Sequence, residues 1–277
     1  MVEPVGGDTA DETVNSTLAT LNVRPLRDLH LSTVLAPLLL GVVVIGGWQL
    51  FVKWFDIDPF VVPAPSAIYD ELVTSRSSIW DGMLGTGRNA LYGLLIGAVL
   101  GILGALLSNA SKILDLMALP IVAALSVVPI VALAPVLYTM FGAAVNTARV
   151  IVAALAVIIP VYLNTLRGLR QVTPVHRELM EVYAASPVQV ARIVTLPTAT
   201  PYVFTGLRIG SSLAVISALV AEYFGGPVDG LGKAITSAAA SSNYPLAWAY
   251  VGGSIVLGLA FYVVTLLLEL RVTRHRA

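Results

Sequence analysis

Six apolar runs dominate this chain and decide what it can fold into. They are Thr33–Val52, Thr86–Leu107, Leu116–Met140, Thr147–Leu166, Tyr202–Tyr223 and Leu246–Leu268. Each reaches or approaches the roughly 20 residues that cross about 30 Å of hydrocarbon as a helix. Backbone in lipid must satisfy its own hydrogen bonds, so only helices or closed barrels span a membrane. The runs are continuous rather than alternating, which excludes barrel strands. The sequence therefore predicts an all-α integral membrane protein with six transmembrane helices. A chain that is 57% hydrophobic and only 12% charged fits that reading, since charged residues make up about a quarter of a soluble domain.

Composition removes several chemistries. The chain has no cysteine, so disulfides, thiolate metal sites and cysteine nucleophiles are excluded. Its three histidines, His30, His176 and His275, are far apart and in polar segments, so no metal cluster is expected. Basic and acidic residues balance at sixteen each, which gives no sign of a nucleic-acid partner. No Ser/His/Asp set or carboxylate pair falls within plausible reach, so the chain reads as no enzyme. The first 22 residues carry Glu3, Asp8, Asp11 and Glu12, have no early apolar core, and read as a disordered tail rather than a secretory signal.

Lys and Arg set the orientation. With the N-terminus inside, ten fall on inner segments (Arg24, Arg27, Lys112, Arg167, Arg170, Arg177, Arg192, Arg271, Arg274 and Arg276) and five on outer ones (Lys53, Arg76, Arg88, Arg149 and Lys233). Both termini are thus expected in the cytoplasm. The organisation reads as a tail over 1–30, a first helix with an outer amphipathic segment over 31–85, a core over 86–270 containing a cytoplasmic loop at 167–200, and a short tail over 271–277. The first span is expected at the periphery. Pro120, Pro129 and Pro135 predict a kinked or partly unwound third span. Pro63–Ala64–Pro65–Ser66 reads as a turn into an amphipathic helix ending near Arg76. Gly225–Gly226–Pro227 reads as a break followed by a small-residue stretch to Pro245.

The loop from Arg167 to Thr200 is charged and punctuated by proline between two apolar runs. Thr173–Pro174 suits a helix start, with threonine as N-cap and proline in the first turn. Ser186–Pro187–Val188–Gln189 suits a second start with a capping box. Leu196–Pro197 is expected to end that second helix, because the residue before proline is pushed from the α region. Tyr183, Val188, Val190 and Ile193 would then be exposed apolar residues suited to a partner's groove. On spacing alone, an amphipathic connector lying on lipid headgroups is an equal alternative.

The spacing Glu178, Ala184–Ala185–Ser186, Val194, Leu196–Pro197 resembles the EAA loop of ABC-transporter permeases of the binding-protein-dependent importer class. Leu179 and Met180 stand where that pattern has two alanines, and Ala184 where it has glycine. The continuation Pro201 to Arg208, Ala221–Glu222 and Gly230–Leu231–Gly232 is similar to the nitrate, sulfonate, taurine and pyrimidine-precursor branch. The likeness runs from about Pro59 to the C-terminus. It implies a type I importer permease fold that works as a homodimer with two copies of an ATPase subunit and an extracytoplasmic binding protein. It also implies that Glu178, Tyr183, Ala184, Ala185, Ser186, Pro187, Val188, Gln189, Leu196 and Pro197 contact the ATPase. No cofactor is expected on the chain, since ATP would be bound by the partner. Gly230–Leu231–Gly232–Lys233–Ala234 lacks the leading glycine and the hydroxyl residue of a phosphate-binding loop.

Gly93, Gly97, Gly101 and Ala105 put small residues on one face of span two, which reads as a contact within the chain or, less directly, between copies. Arg208 is expected to snorkel to the headgroups. Glu222 at the outer end of span five reads either as a carboxylate shaping the mouth of the pathway or as one in water; Asn164 and Pro129 are further pathway candidates. Spans show no paired charges of the kind a proton-coupled carrier needs. The alternatives to an importer subunit are a secondary transporter or a membrane scaffold without an ATPase partner.

Overall fold

The structure is a computed structural model that describes residues 30–274 apart from residue 228. The predicted N-terminal tail lies outside the described residues. Every regular element among the described residues is helical. Helix α1, His30–Trp54, forms a unit of its own, and Leu38, Leu39, Val42 and Val43 are exposed along it. The second unit holds all the other helices. Five helices are long and apolar enough to cross a membrane, or six if one bent pair counts as a span.

Two boundaries differ from expectation. Helix α2, Pro65–Thr74, starts at the predicted proline turn. Helix α3, Arg76–Ala110, begins only two residues later and runs for 35 residues, about 52 Å at 1.5 Å per residue. It starts ten residues before the apolar run because no glycine pair or proline interrupts its polar first turns. After Gly225–Gly226–Pro227 the chain forms a short helix, α10 (Leu231–Ala240), where the sequence suggested only a small-residue stretch. Alanine and leucine favour helix once Gly230 has turned the chain.

The third span is broken as predicted. Helix α4 covers Lys112–Val127 and α5 covers Ala134–Phe141, joined through a tight turn at Ile130–Leu133. The two axes differ by 84°. Only Pro129 marks the break; Pro120 lies inside α4, and Pro135 sits in the first turn of α5, where a missing N–H goes unnoticed. Tyr138 fixes α5, donating its hydroxyl to the Ala221 carbonyl at 3.2 Å.

Helix α6, Thr147–Leu169, is the centre of the second unit. Val152, Ala153, Val157 and Val161 on it have no exposed surface. The glycine face of α3 packs on it: a Cβ on Gly97 would stand 2.6 Å from the Ala154 carbonyl oxygen and from the Val157 Cβ, and one on Gly101 would stand 3.0 Å from Val161. The small-residue face is thus a contact within the chain. On the other flank, Gly206 and Gly210 bring helix α9, Leu196–Phe224, against Val161 and Val157. Helix α11, Tyr244–Arg274, closes the bundle against α9 through Ser211 and Thr265, 3.2 Å apart.

Replacing Gly97 by valine should lower stability in detergent by about 1–3 kcal/mol or prevent folding, because the side chain meets backbone and a buried valine. Gly258→Val, where a Cβ meets nothing within 4 Å, should leave the unfolding midpoint almost unchanged. A thermal unfolding series on the two variants checks this.

Candidate functional site

The loop between α6 and α9 folds as a helical elbow. Helix α7, Pro174–Val182, starts at Thr173 with proline in its first turn, as expected. The threonine does not cap the backbone, however; its hydroxyl pairs with His176 Nδ1 at 2.8 Å. Helix α7 ends in a closed motif: Ala184 N–H donates to the Glu181 carbonyl and Ala185 N–H to the Met180 carbonyl. That is the Schellman pattern, which needs a left-handed residue after the helix. Ala184 occupies it with φ 50°. The bend therefore forms without the usual glycine, at a conformational cost of about 1 kcal/mol.

Helix α8, Pro187–Val190, then begins at once. Ser186 Oγ accepts from Gln189 N–H and Gln189 Oε1 accepts from Ser186 N–H, so the predicted capping box is present on both sides. Chain direction is reset over Tyr183–Ser186. No residue of α7 or α8 is buried. Glu178 is exposed, and Val182, Tyr183 and Val188 keep 83%, 73% and 75% of their surface.

The expected stop at Leu196–Pro197 does not occur. Residues Ala191–Thr195 form a widened π turn in which Leu196 N–H reaches back to the Ala191 carbonyl. Proline in an α-helix lacks a donor and collides with the carbonyl four residues earlier. A widened turn just ahead of it opens the space for its ring. The result is one continuous helical run, Pro187–Phe224, about 57 Å long at 1.5 Å per residue. It joins the elbow directly to the far end of the bundle.

At that far end lies a site that the sequence reading did not assemble. Arg149, counted from sequence among the outer segments, has a side chain with no exposed surface. Its guanidinium donates to Asp229 Oδ1 at 2.7 Å, to Asn146 Oδ1 at 3.0 Å, to the Tyr138 hydroxyl at 3.2 Å, and to the carbonyls of Gly225 and Pro227. Glu222 Oε1 lies 3.9 Å away. Glu222 is likewise fully buried; it accepts from Thr86 Oγ1 at 2.9 Å and from Gly232 N–H at 2.8 Å, while Thr86 Oγ1 accepts from Leu231 N–H. Asn89, 1% exposed, lies beside the carboxylate. Arg88 binds the other oxygen of Asp229 at 3.0 Å on the outside. Glu222 thus faces protein rather than bulk water.

Two further ion pairs correct the reading. Arg208 does not snorkel alone: it meets Glu269 at 3.0 Å and stands 5.9 Å from the centre of the Tyr262 ring. Arg170 meets Asp115 at 2.7 Å, tying the end of α6 to the start of α4. Paired charges therefore do bridge the spans. Each partner lies 50 or more residues away in sequence, and no local spacing announces it.

Asn164 and Pro129 fall in the same region of the fold. Asn164 donates to the Pro160 carbonyl at 2.8 Å and lines a cavity of about 470 Å³ between the break of the third span, α6 and α9. Val128 and Ile130, on either side of Pro129, line it too, as do Ser126 and Ser217. No group of acidic or histidine side chains that could hold a metal ion occurs among the described residues.

Residues 93–274 match the family model described as the binding-protein-dependent transport system inner membrane component. A probable ABC transporter permease protein of Haemophilus influenzae is 29% identical over 228 residues, which are 82% of this chain and 92% of that protein. The riboflavin transport system permease protein RibX of Chloroflexus aurantiacus is 30% identical over 232 residues, 83% and 86% of the two chains. A solved amino acid ABC transporter superposes with a TM-score of 0.61 at 19% identity, covering 72% of this chain and 96% of that one. This last likeness is one of fold.

Arg149→Met should destabilise the protein by about 3–5 kcal/mol, since it leaves the buried Glu222 carboxylate without its cation. Arg88→Met breaks an exposed pair and should change it by no more than about 1 kcal/mol. Ala184→Gly should be neutral or gain up to about 1 kcal/mol by relieving the left-handed alanine. Unfolding midpoints of the three variants, measured in the same detergent, test these values.

Proposed function

The chain belongs to the family of binding-protein-dependent transport system inner membrane components, and from that premise we propose how it works. It is the permease subunit of an ABC importer for a small solute, a multi-pass membrane protein. ATP hydrolysis belongs to a separate partner, which seats its cleft on the elbow. Glu178, Tyr183 to Gln189, and the Leu196–Pro197 junction carry that contact. A second copy of the chain, two ATPase subunits and one extracytoplasmic binding protein complete the working assembly. The elbow lies on the cytoplasmic side of the plasma membrane with both termini, and the Arg149 site lies outside.

The observation that carries this reading is the uninterrupted helical run from Pro187 to Phe224. A partner that shifts α8 moves the inner end of a helix whose outer end is Glu222, locked to Arg149 and the 225–232 loop. Closure of the ATPase pair on ATP draws two elbows together, and the long helices open the route outward. Hydrolysis and release reset it. Energy enters at one site and is used at another, through an element that both sites bias. The cavity beside Asn164 and the Pro129 break, where the third span is bent by 84°, is the segment of the route that this motion would reshape.

The exposed apolar residues of the elbow favour a protein partner. A connector resting on headgroups would lay one apolar stripe along the surface. Here the chain bends sharply at Ala184 and presents Val182, Tyr183 and Val188 around the bend.

Ala185→Asp and Glu178→Ala should each reduce ATP-driven uptake in vesicles by about tenfold or more, the equivalent of losing about 1.4 kcal/mol of contact, without lowering the unfolding midpoint. The ATPase should still co-purify with the unaltered chain. Unchanged uptake in both variants, or no ATPase in the purified complex, would refute the elbow's role.

A further inference from the structure

A cavity of about 710 Å³ opens between the start of α3, the 225–230 loop, α10 and α11, at the end of the bundle away from the elbow. Ser78, Asp81, Asp229, Ser237, Ser241 and Tyr250 supply its polar lining. Its volume falls within the range of small-molecule sites. Asp229 is neutralised there by Arg149 at 2.7 Å and Arg88 at 3.0 Å. With Glu222 included, two cations face two carboxylates and their charges cancel.

Asp81 has no such partner. It is exposed and makes no ion pair or side-chain hydrogen bond among the described residues. Arg76 and Lys233, the basic residues nearest in sequence on α3 and α10, are not part of the lining. The cavity therefore carries a net negative charge, and a cleft with low-dielectric walls focuses that field. A second feature points to a ligand. Tyr250 is only 9% exposed and lines the cavity, and its hydroxyl, open to the cavity, has no hydrogen-bond partner among the described residues. Ser241 spends its own proton on the Ala238 carbonyl at 2.9 Å, leaving its oxygen free to accept. The Asp81 carboxylate and the Ser241 oxygen can only receive hydrogen bonds there, while the other hydroxyls can give or receive them.

We propose that this cavity is a receiving site for a neutral or cationic small solute rich in N–H or O–H donors, and that it turns sulfonates and other oxyanions away. The inference rests on the reading of the chain as an importer permease with this end outward, and it narrows the cargo within that reading. A sulfonate or bicarbonate would bring negative charge to Asp81 with no uncommitted cation in the lining to receive it.

The chain contains no cysteine, so a single one can be placed in the cavity without background. Full-length Ser237→Cys in lipid nanodiscs is labelled with the trimethylammonioethyl and the sulfonatoethyl methanethiosulfonate reagents, each rate being normalised to that of a free thiol. The cationic reagent should react at least about tenfold faster, and Asp81→Asn should reduce that preference at least threefold. Riboflavin or 4-amino-5-hydroxymethyl-2-methylpyrimidine at millimolar concentration should slow labelling, and taurine should not. Equal rates, a preference untouched by Asp81→Asn, protection by taurine, or no protection by either neutral probe would overturn the proposal. So would protection by the solute-free binding protein where neither probe protects, which would assign the cavity to a basic side chain of that protein. A chain that labels as expected but brings down no ATPase sinks the permease reading and leaves the cavity's preference standing. A chain that binds the ATPase but labels without preference sinks this inference alone.

Discussion

A guanidinium with no access to water must be matched on every side, and Arg149 organises one whole end of this protein by that requirement. Leaving such a charge unpaired costs several kcal/mol, so its partners cannot wander. They come from the start of α6, from α5, from the end of α9 and from the loop that follows it. Glu222 then recruits α3 through Thr86 and α10 through the Gly232 N–H. Glycine at 230 and 232 is obligatory in this arrangement, since a Cβ at either would run into the Glu222 side chain. These two glycines are as tightly specified as core positions.

The same logic of close approach governs the middle of the bundle by different means. Lipid offers no hydrophobic drive for helices to associate, so packing must supply it. Small residues on α3 and α9 let both helices settle on the valines of α6 until backbone nearly meets side chain. Helix α6 is thereby held from two sides along most of its length. The bent third span is tied at its ends, by Asp115 to Arg170 and by Tyr138 to Ala221. It has no buried residue in α4 or in the tight turn that follows. A stiff centre with a loosely held, broken neighbour is a suitable construction for a route that must change shape.

Much of this was legible in the sequence because the relevant signals are local. Apolar run length located five spans, and a sixth where the bent pair counts as one; the three prolines marked that third span as interrupted, and Ser186 with Gln189 marked the second helix of the elbow. The failures share a cause. Leu196–Pro197 looked like a stop because proline forbids an ordinary α turn, and the chain met that constraint by widening the turn instead. Ala184 stands where the pattern has glycine, yet two backbone hydrogen bonds and an immediate capping box hold it in a left-handed bend. Arg149 and Arg208 were read without partners because Asp229 and Glu269 are brought to them by tertiary packing alone. Thr86 and Asn89 were hidden inside a run read only for its hydropathy.

The widened turn at Ala191–Thr195 has a consequence for angular phase. Each residue of an α-helix advances about 100° around the axis. One surplus residue in a turn therefore rotates everything beyond it by about that amount relative to the stretch before it. Gly206, Gly210, Ser211 and Glu222 all lie beyond the surplus residue, and Val188 lies before it. The swelling thus sets the azimuth at which the glycines address α6 and the carboxylate addresses Arg149, given the azimuth at which the elbow presents its side chains. Were the surplus to migrate along the helix, only the residues it passed would swivel by about that amount, while Val188 and Glu222 kept their bearings.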